Sequence, residues 1–471
     1  MSTENKAIIY TQHGVSYHSA ANPMVDFVNK QIRSRTFNGS PHLGSGLIAS
    51  QLKAQGYNID YKAIEETDRE NWTDVITKYQ KVLFSAMDIQ VDRVANIFQN
   101  QPDLQKISVV GGQGVTTSVA KDMSNRFPEA SFVVGRAENI LHQAIQKNGV
   151  HVGEPYNLKD FISHPAMNSE YTFRNDEWFI KSGMKLLELT TGCTQSCDYC
   201  PIPAGETVTY KDIDIAIKEI EMSKMKPLDI LVVVDHNIFN LKRDQLLYFF
   251  NEINKKGVYW AGEGTIFQVI DDNELLVQMG KNCISMLCGL EDIEGNMSGS
   301  SVKSRMVKNF PNVLEKVRNA KLPITWSLVF PLENHTPQTY IETAAFIKKH
   351  QINVNLHLIQ PRSGSVFSNQ LKMEDRITDF DSRSRDGSGL VYVPKNMSVD
   401  TAIAGYIWLM NKVVSMALER FTRNLKYGLR YASALAILDV TAVGMSGVRL
   451  KSLHPKLAKK ISWYEEQWKK I

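Results

Sequence analysis

The sequence predicts an α/β fold in three parts: an N-terminal doubly wound, Rossmann-like domain, a central partial (β/α)6 barrel of TIM type, and a C-terminal helical domain. Three observations predict it. Apolar strand-like runs alternate with helix-period segments from residue 7 to about 149, six more runs alternate with helices from 185 to 370, and beyond 370 the period is helical only. At 471 residues the chain also exceeds what one ordinary core supports. The expected boundaries are 1–149, a linker at 150–184, 185–370 and 371–471.

Bulk composition narrows the function classes. A hydrophobic content of 43% with 22% charged residues is ordinary for a globular chain that does not live in a membrane. The formal charge of +4 is too mild to call for nucleic acid as a partner. Five cysteines, three of them clustered, do not form a disulfide framework and point to a reducing, cytoplasmic compartment. The N-terminus has no apolar segment behind a basic start, so no signal peptide is expected. Residues 431–448 are apolar enough in length to span a bilayer, but Asp439 sits in the middle, which favours a buried helix and no transmembrane segment.

In the first third, residues 7–11, 57–61, 81–86, 107–110 and 131–134 read as strands. Leu43, Leu47, Ile48 and Leu52 share one face of a helix that ends at Gly56. A sheet of this kind carries its ligand crevice beyond the carboxyl ends of the strands. Glycines gather there: Gly44 and Gly46, in the stretch from Pro41 and His42, precede the first helix, Gly111, Gly112, Gln113 and Gly114 follow the fourth strand, and Gly135 through Glu138 follow the fifth. Ser85 ends the third strand. Each glycine alone is accounted for by a tight turn; as a set they let backbone approach a bulky ligand.

Residues 150–184, with Pro155, Pro165 and Asn168, read as a connector. Barrel strands are expected at 186–189, 229–234, 257–261, 283–288, 323–330 and 353–359. Polar groups stand at their carboxyl ends, where barrels of this type place their chemistry: Asp235 and Asn237, Glu263, Glu291, Glu333, and the turn holding Pro361. After the first strand, Cys193, Cys197 and Cys200 fall within eight residues. Three thiolates on one loop can hold three irons of a cubane 4Fe-4S cluster and leave the fourth iron open. The competing zinc reading needs four ligands, usually in two separated pairs, and no second pair follows. Cys283 and Cys288 lie five residues apart on one strand, so they point to opposite faces and read as buried thiols.

The CxxxCxxC spacing, with Tyr199 before the last cysteine, resembles the signature of radical S-adenosylmethionine enzymes. The glycine layout of the first third resembles the cobalamin-binding domain that precedes the radical domain in one large subfamily. Two short stretches after the barrel, 375–379 and 394–398, are similar to what those relatives carry. The resemblance implies metal ligation by Cys193, Cys197 and Cys200, and S-adenosyl-L-methionine binding by Tyr199, Asp235, Asn237, Glu263, Glu291 and Pro361. Within that set it gives Glu291 both ribose hydroxyls. It implies cobalamin contacts from His42, Leu43, Gly44, Ser85, Gly111, Gly112, Gln113, Gly135 and Glu138. One departure is plain: none of the eleven histidines has Asp two residues before it, so no Asp-x-His-x-x-Gly motif supplies a lower ligand to cobalt. A degenerate domain that no longer binds cobalamin stays open as the alternative.

The function so implied is a cobalamin-dependent radical methyltransferase acting at an unactivated carbon of a small molecule, lipid or peptide. A radical rearrangement, cyclisation or ring contraction without methyl transfer is the alternative enzyme reading, and a non-catalytic iron-sulfur binding or scaffold protein the alternative outside enzymes. The implied partner is an electron donor such as flavodoxin or ferredoxin. In the C-terminal part, Ser398 reads as the N-cap of a long amphipathic helix, followed by helices at 431–448 and 455–470; the resemblance implies that such a helical tail closes the open side of the barrel.

Overall fold

The computed structural model describes residues 5–11, 43–137, 140–153, 184–200, 208–223, 225–227, 229–294, 307–362, 364–379, 389–429 and 454–470. Two six-stranded sheets organise them. The first is built from β1 (Lys6–Thr11), β2 (Asn58–Ala63), β3 (Lys81–Ser85), β4 (Ser108–Gly111), β5 (Ser131–Val134) and β6 (Gly149–Val152), in the order β2-β1-β3-β4-β5-β6. Every pairing in it is parallel. Parallel neighbours need crossovers, supplied by α1 (Leu43–Ala54), α2 (Trp72–Lys78), α3 (Val91–Asn100), α4 (Thr117–Arg126) and α5 (Leu141–Gln146).

Because helices cover both faces, the central strands read as continuous apolar runs, and Ala7, Ile8, Ile9 and Tyr10 are all buried. Tyr10, Phe84, Phe98 and Phe132 fill one core layer, and Leu52, Leu83, Val109 and Val133 the other. Strand order reverses between β1 and β3, so the crevice opens beyond Thr11 and Ser85. The edge strand β6 falls partly in the span read as linker. It is four residues long, with Val150 and Val152 exposed and His151 between them, too short and mixed to stand out by periodicity.

The second sheet holds β7 (Met184–Leu187), β10 (Ile230–Val233), β11 (Tyr259–Gly264), β12 (Cys283–Glu291), β13 (Ile324–Phe330) and β14 (Asn353–Leu358), again all parallel and in sequential order. A small antiparallel hairpin of β8 (Thr190–Thr191) and β9 (Thr209–Tyr210) is inserted after β7. Helices α6 (Ile213–Met222), α7 (Arg243–Lys255), α8 (Asn273–Gly280), α9 (Phe310–Asn319), α10 (Pro337–His350) and α11 (Val366–Met373) follow the strands in turn. Since β7 and β14 do not pair, the barrel is partial and has two edges. Cys283 and Cys288 on β12 are both fully buried.

An exposed edge strand invites unwanted pairing, and the C-terminal helices cover one of the two. Helix α12 (Val399–Ser415) packs on α10 and β14 and on α14 (Ala458–Trp468), with α13 (Ala417–Asn424) continuing from it. Its Tyr406 hydroxyl donates to the Leu356 carbonyl of β14 at 2.7 Å, satisfying an edge acceptor. Ser398 caps the helix, accepting from Thr401 N at 3.2 Å. Tyr406 and Trp408 are core, whereas Trp463 is 42% exposed. Among the described residues no single helix is long and apolar enough to cross a membrane. The helix expected at 431–448 lies outside the described residues.

Gly405 marks how closely α12 approaches its neighbours. A Cβ there would stand 2.7 Å from Tyr340 Cδ2 and 2.7 Å from the Tyr464 hydroxyl oxygen. The Gly405→Ala variant is therefore expected to lose about 1–3 kcal/mol through overpacking. A lowered urea midpoint with an unchanged m-value would report it, and a midpoint equal to the parent's would show that the helices can separate at no cost.

Candidate active site

The cysteine loop begins where β7 ends, and a buried carboxylate fixes that point. Asp235, at the carboxyl end of β10, accepts from Leu189 N at 2.7 Å and from the Thr190 hydroxyl at 2.8 Å. Only 1% of the residue is exposed. Burial pushes its carboxyl up to about 7, against the pull of those hydrogen bonds, with nearby Glu188 adding to the rise. Asn240 then takes hold of the loop itself, donating to the Gly192 carbonyl and accepting from the Thr194 hydroxyl, both at 3.2 Å. Asn237 joins β10 to β11: its oxygen accepts from Thr265 N at 3.0 Å and its amide donates to Gln268 at 2.7 Å. Asp235 and Asn237 thus commit their polar atoms to the scaffold.

The far end of the loop is tied to the other edge of the barrel. Phe367 N, at the start of α11, donates to the Asp198 carbonyl at 2.9 Å. The loop therefore bridges the gap that β7 and β14 leave open. Pro361 is buried in the turn between β14 and α11, where Arg362 N donates to the Gln360 carbonyl at 2.9 Å.

Cys193, Cys197 and Cys200 are all partly exposed on this loop. Gln195 N donates to Cys193 Sγ at 3.4 Å, and Cys200 N donates to the Cys197 carbonyl at 3.0 Å. Among the described residues no three His, Cys, Asp or Glu side chains converge as a single metal ion requires. A cubane makes a different demand, because each thiolate binds its own iron. Three accessible thiols on one turn, with a backbone N–H aimed at a sulfur, fit that donor set.

Beyond the loop the barrel mouth is polar. Glu291 ends β12 with φ of 68°, a left-handed conformation uncommon outside glycine, beside a register shift between Gly289 and Glu291. Burial, followed by the nearby charges of Glu291 and Cys197, pushes the Tyr199 hydroxyl pKa well up. Glu263 on β11 is pushed up to about 7, first by burial and then by the Glu291 charge. His357 on β14 is held below the usual imidazole range by burial, with Glu291 opposing. Its surface is solvent-accessible, unlike that of its strand neighbours Leu356 and Leu358. Sequence reasoning missed it, although the alternation of Asn353, Asn355 and His357 with Val354, Leu356 and Leu358 already set three polar side chains on one face.

At the first sheet, the turns after β3 and β4 lock together, Ala86 N donating to the Gly111 carbonyl at 2.7 Å and Gly114 N to the Ala86 carbonyl at 3.0 Å. Gly112, with φ of 106°, has no room for a side chain: a Cβ would sit 2.5 Å from the Ala86 oxygen. Gly112 and Gln113 stay exposed at the crevice rim, with Ser85 partly buried beside them. Leu43 and Gly44 open α1, where Ser45 accepts from the Thr11 hydroxyl at 3.1 Å. Gly135 has φ of 76° and leads to Arg136. Arg136 joins the two sheets, donating to both carboxylate oxygens of Glu188 at 3.0 Å. His42 and Glu138 lie outside the described residues.

A switch-point crevice, a six-stranded partial barrel with a three-cysteine loop at its mouth, and a helical cover together make up the fold of cobalamin-dependent radical S-adenosylmethionine enzymes. Two solved proteins show it. The structure of the radical S-adenosylmethionine methyltransferase TsrM from Kitasatospora setae, with cobalamin and a [4Fe-4S] cluster bound, is 12% identical over 79% of this chain and 78% of its own, with a TM-score of 0.54. The cobalamin-dependent S-adenosylmethionine radical enzyme OxsB, with aqua-cobalamin and S-adenosylmethionine bound, is 10% identical over 99% of this chain and 83% of its own, with a TM-score of 0.58. At such identities the likeness establishes the fold. No family model and no curated protein matches the sequence.

The raised Glu263 carboxyl has a consequence for stability. Between about pH 4.5 and about 7 the unfolded chain releases this proton while the folded protein keeps it, so stability falls as pH rises through that window. Glu263→Gln removes the effect. In urea unfolding of the metal-free protein, the variant is expected to overtake the parent across the window and to lead by on the order of 3 kcal/mol above it. A constant difference at all pH values would show that Glu263 ionises like an exposed carboxylate.

Proposed function

We propose that this chain is a cobalamin-dependent radical S-adenosylmethionine enzyme that methylates an unactivated carbon of a small molecule, lipid or peptide. The observation that carries the reading is the three-cysteine loop at the mouth of the partial barrel, seated at one end by the Asp235 carboxyl on Leu189 and Thr190 and at the other by Phe367 N on the Asp198 carbonyl. A cluster held by Cys193, Cys197 and Cys200, together with a cobalamin in the crevice, supplies the one-electron and methyl-carrier chemistry. Ser85, Gly111, Gly112, Gln113 and Gly135, with the start of α1 at Leu43 and Gly44, are the described residues that would hold the corrinoid.

The chain's own groups divide the remaining tasks. Glu291 accepts hydrogen bonds from a ribose diol, and its left-handed backbone fixes the angle of approach. Glu263, protonated in a large share of molecules near neutrality, can donate as well as accept at the methionine end. His357, kept neutral, offers both a donor and an acceptor deeper in the chamber. Asp235, Asn237 and Asn240 act as positioning residues that hold the loop. An electron donor of the flavodoxin or ferredoxin kind completes the system.

A radical rearrangement, cyclisation or ring contraction without methyl transfer is the alternative outcome on the same fold, which the cobalamin-dependent S-adenosylmethionine radical enzyme OxsB matches along 99% of this chain.

Protein reconstituted with iron and sulfide, given S-adenosylmethionine and a strong reductant, is expected to release 5'-deoxyadenosine. None at all, with the cluster intact, would exclude both enzyme readings. Added release of S-adenosylhomocysteine distinguishes methyl transfer from rearrangement. Cys197→Ala is expected to lose cluster absorbance, and a full cluster in that variant would refute the ligand assignment. A corrinoid spectrum after growth with cobalamin tests the first domain.

A further inference from the structure

Glu291 is presented by an uncommon turn. Asp292 N donates to the Leu290 carbonyl at 2.9 Å, which closes a three-residue γ-turn around Glu291, and the φ of 68° there belongs to the rarer, strained γ form. Such backbone persists only where its surroundings over-determine it. On one side of the turn strand register shifts between Gly289 and Glu291. On the other side stands Asp292, which is held through its side chain.

Asp292 and His335 are both almost fully buried, and the Asp292 Oδ1 lies 3.2 Å from His335 Nε2. Which nitrogen carries the proton follows from the rest of the ring. Leu332 N donates to His335 Nδ1 at 3.1 Å, so Nδ1 is an acceptor and Nε2–H donates to Asp292. The turn that carries the histidine is closed by His335 N on the Leu332 carbonyl at 3.1 Å. It is also fixed from the C-terminal part of the chain. Arg376 donates to both carboxylate oxygens of Glu333 at 2.8 Å, the Tyr392 hydroxyl to the Pro331 carbonyl at 2.8 Å, and Asn396 to the Glu333 carbonyl at 3.0 Å. A line of bonds thus runs from residues 376–396, through His335, to the residue beside Glu291.

We propose that His335 is a positioning residue: through Asp292 it holds the γ-turn that carries Glu291, and it thereby sets how tightly this protein recognises the ribose diol of a bound ligand. This deepens the proposed function and rests on its reading of Glu291. Without the imidazole the buried Asp292 carboxyl loses a donor, and the turn is free to relax toward ordinary extended backbone, which re-aims Glu291.

The test uses the full chain reconstituted with iron and sulfide, with S-adenosylhomocysteine and its 2'-deoxy counterpart as probes in calorimetric titration. The parent is expected to prefer the intact diol by about tenfold or more, as a hydrogen bond to a charged group allows. His335→Phe keeps the bulk of the ring and removes both nitrogens. Its preference is expected to fall to about threefold or less, with affinity for the 2'-deoxy probe little changed. A general structural defect would instead weaken both probes together and keep their ratio. His335→Gln can set an amide N–H in place of Nε2–H and is expected to recover most of the ratio. Asp292→Leu breaks the same bond from the other side and is expected to lower the ratio as His335→Phe does, which covers a histidine variant that loads poorly. The parent's ratio, kept in either fully loaded bond-breaking variant, would overturn the positioning role and leave the functional reading standing. A parent that binds neither probe, or both equally, would overturn the reading of Glu291 and the inference with it.

Discussion

One carboxylate sets the position of everything that follows it. Asp235 takes the backbone of Leu189 and the hydroxyl of Thr190 at the point where the first barrel strand becomes the cysteine loop. Removing a partner from such a buried group leaves unpaired donors, which costs more than the bond itself contributes. The charges around it are matched in pairs: Glu188 binds Arg136, and Glu219 binds the fully buried Lys211 at 2.6 Å. Lys211 N in turn donates to the Leu189 carbonyl at 2.8 Å, so both backbone polar groups of Leu189 are held. The loop is thus mounted on a rigid polar base, as a site requiring fixed thiol positions needs.

The barrel interior departs from the usual branched apolar filling. Glu263, Glu291, Asn355 and His357 occupy positions where Val, Ile or Leu would close a TIM barrel. Their placement costs desolvation, seen in the raised Glu263 carboxyl and the lowered His357 imidazole. A missing quarter of the barrel leaves room for a ligand to occupy that polar space. Strain at Glu291 belongs with this arrangement, since left-handed backbone outside glycine persists only where the surroundings fix it.

Much of this was legible in the sequence, and the gaps have physical causes. Alternating runs located eleven of the twelve strands in the two parallel sheets, most of them strongly apolar because helices cover both faces. The missed strand, Gly149–Val152, has only four residues, with Val150 and Val152 exposed, too short for a period to show. The cysteine triplet is visible because its chemistry depends on local spacing. Asp235 and Asn237 look from sequence like ligand groups at strand ends, and the structure shows them engaged by Leu189, Thr190, Thr265 and Gln268. Such pairings join residues tens of positions apart, which no local pattern encodes. The crevice glycines are partly explained by the packing of one turn on another, seen at Gly112 against Ala86.

The hydrogen bond from Phe367 N to the Asp198 carbonyl joins the first barrel loop to the last barrel helix. A chain emerges from the ribosome N-terminus first. The cysteines are therefore made long before the residue that seats their loop, and they stay without that support until the sixth unit has been translated and folded. Seating of the loop is consequently a late event in the making of the chain, and a chain truncated before residue 367 would carry all three loop cysteines without the frame that holds them.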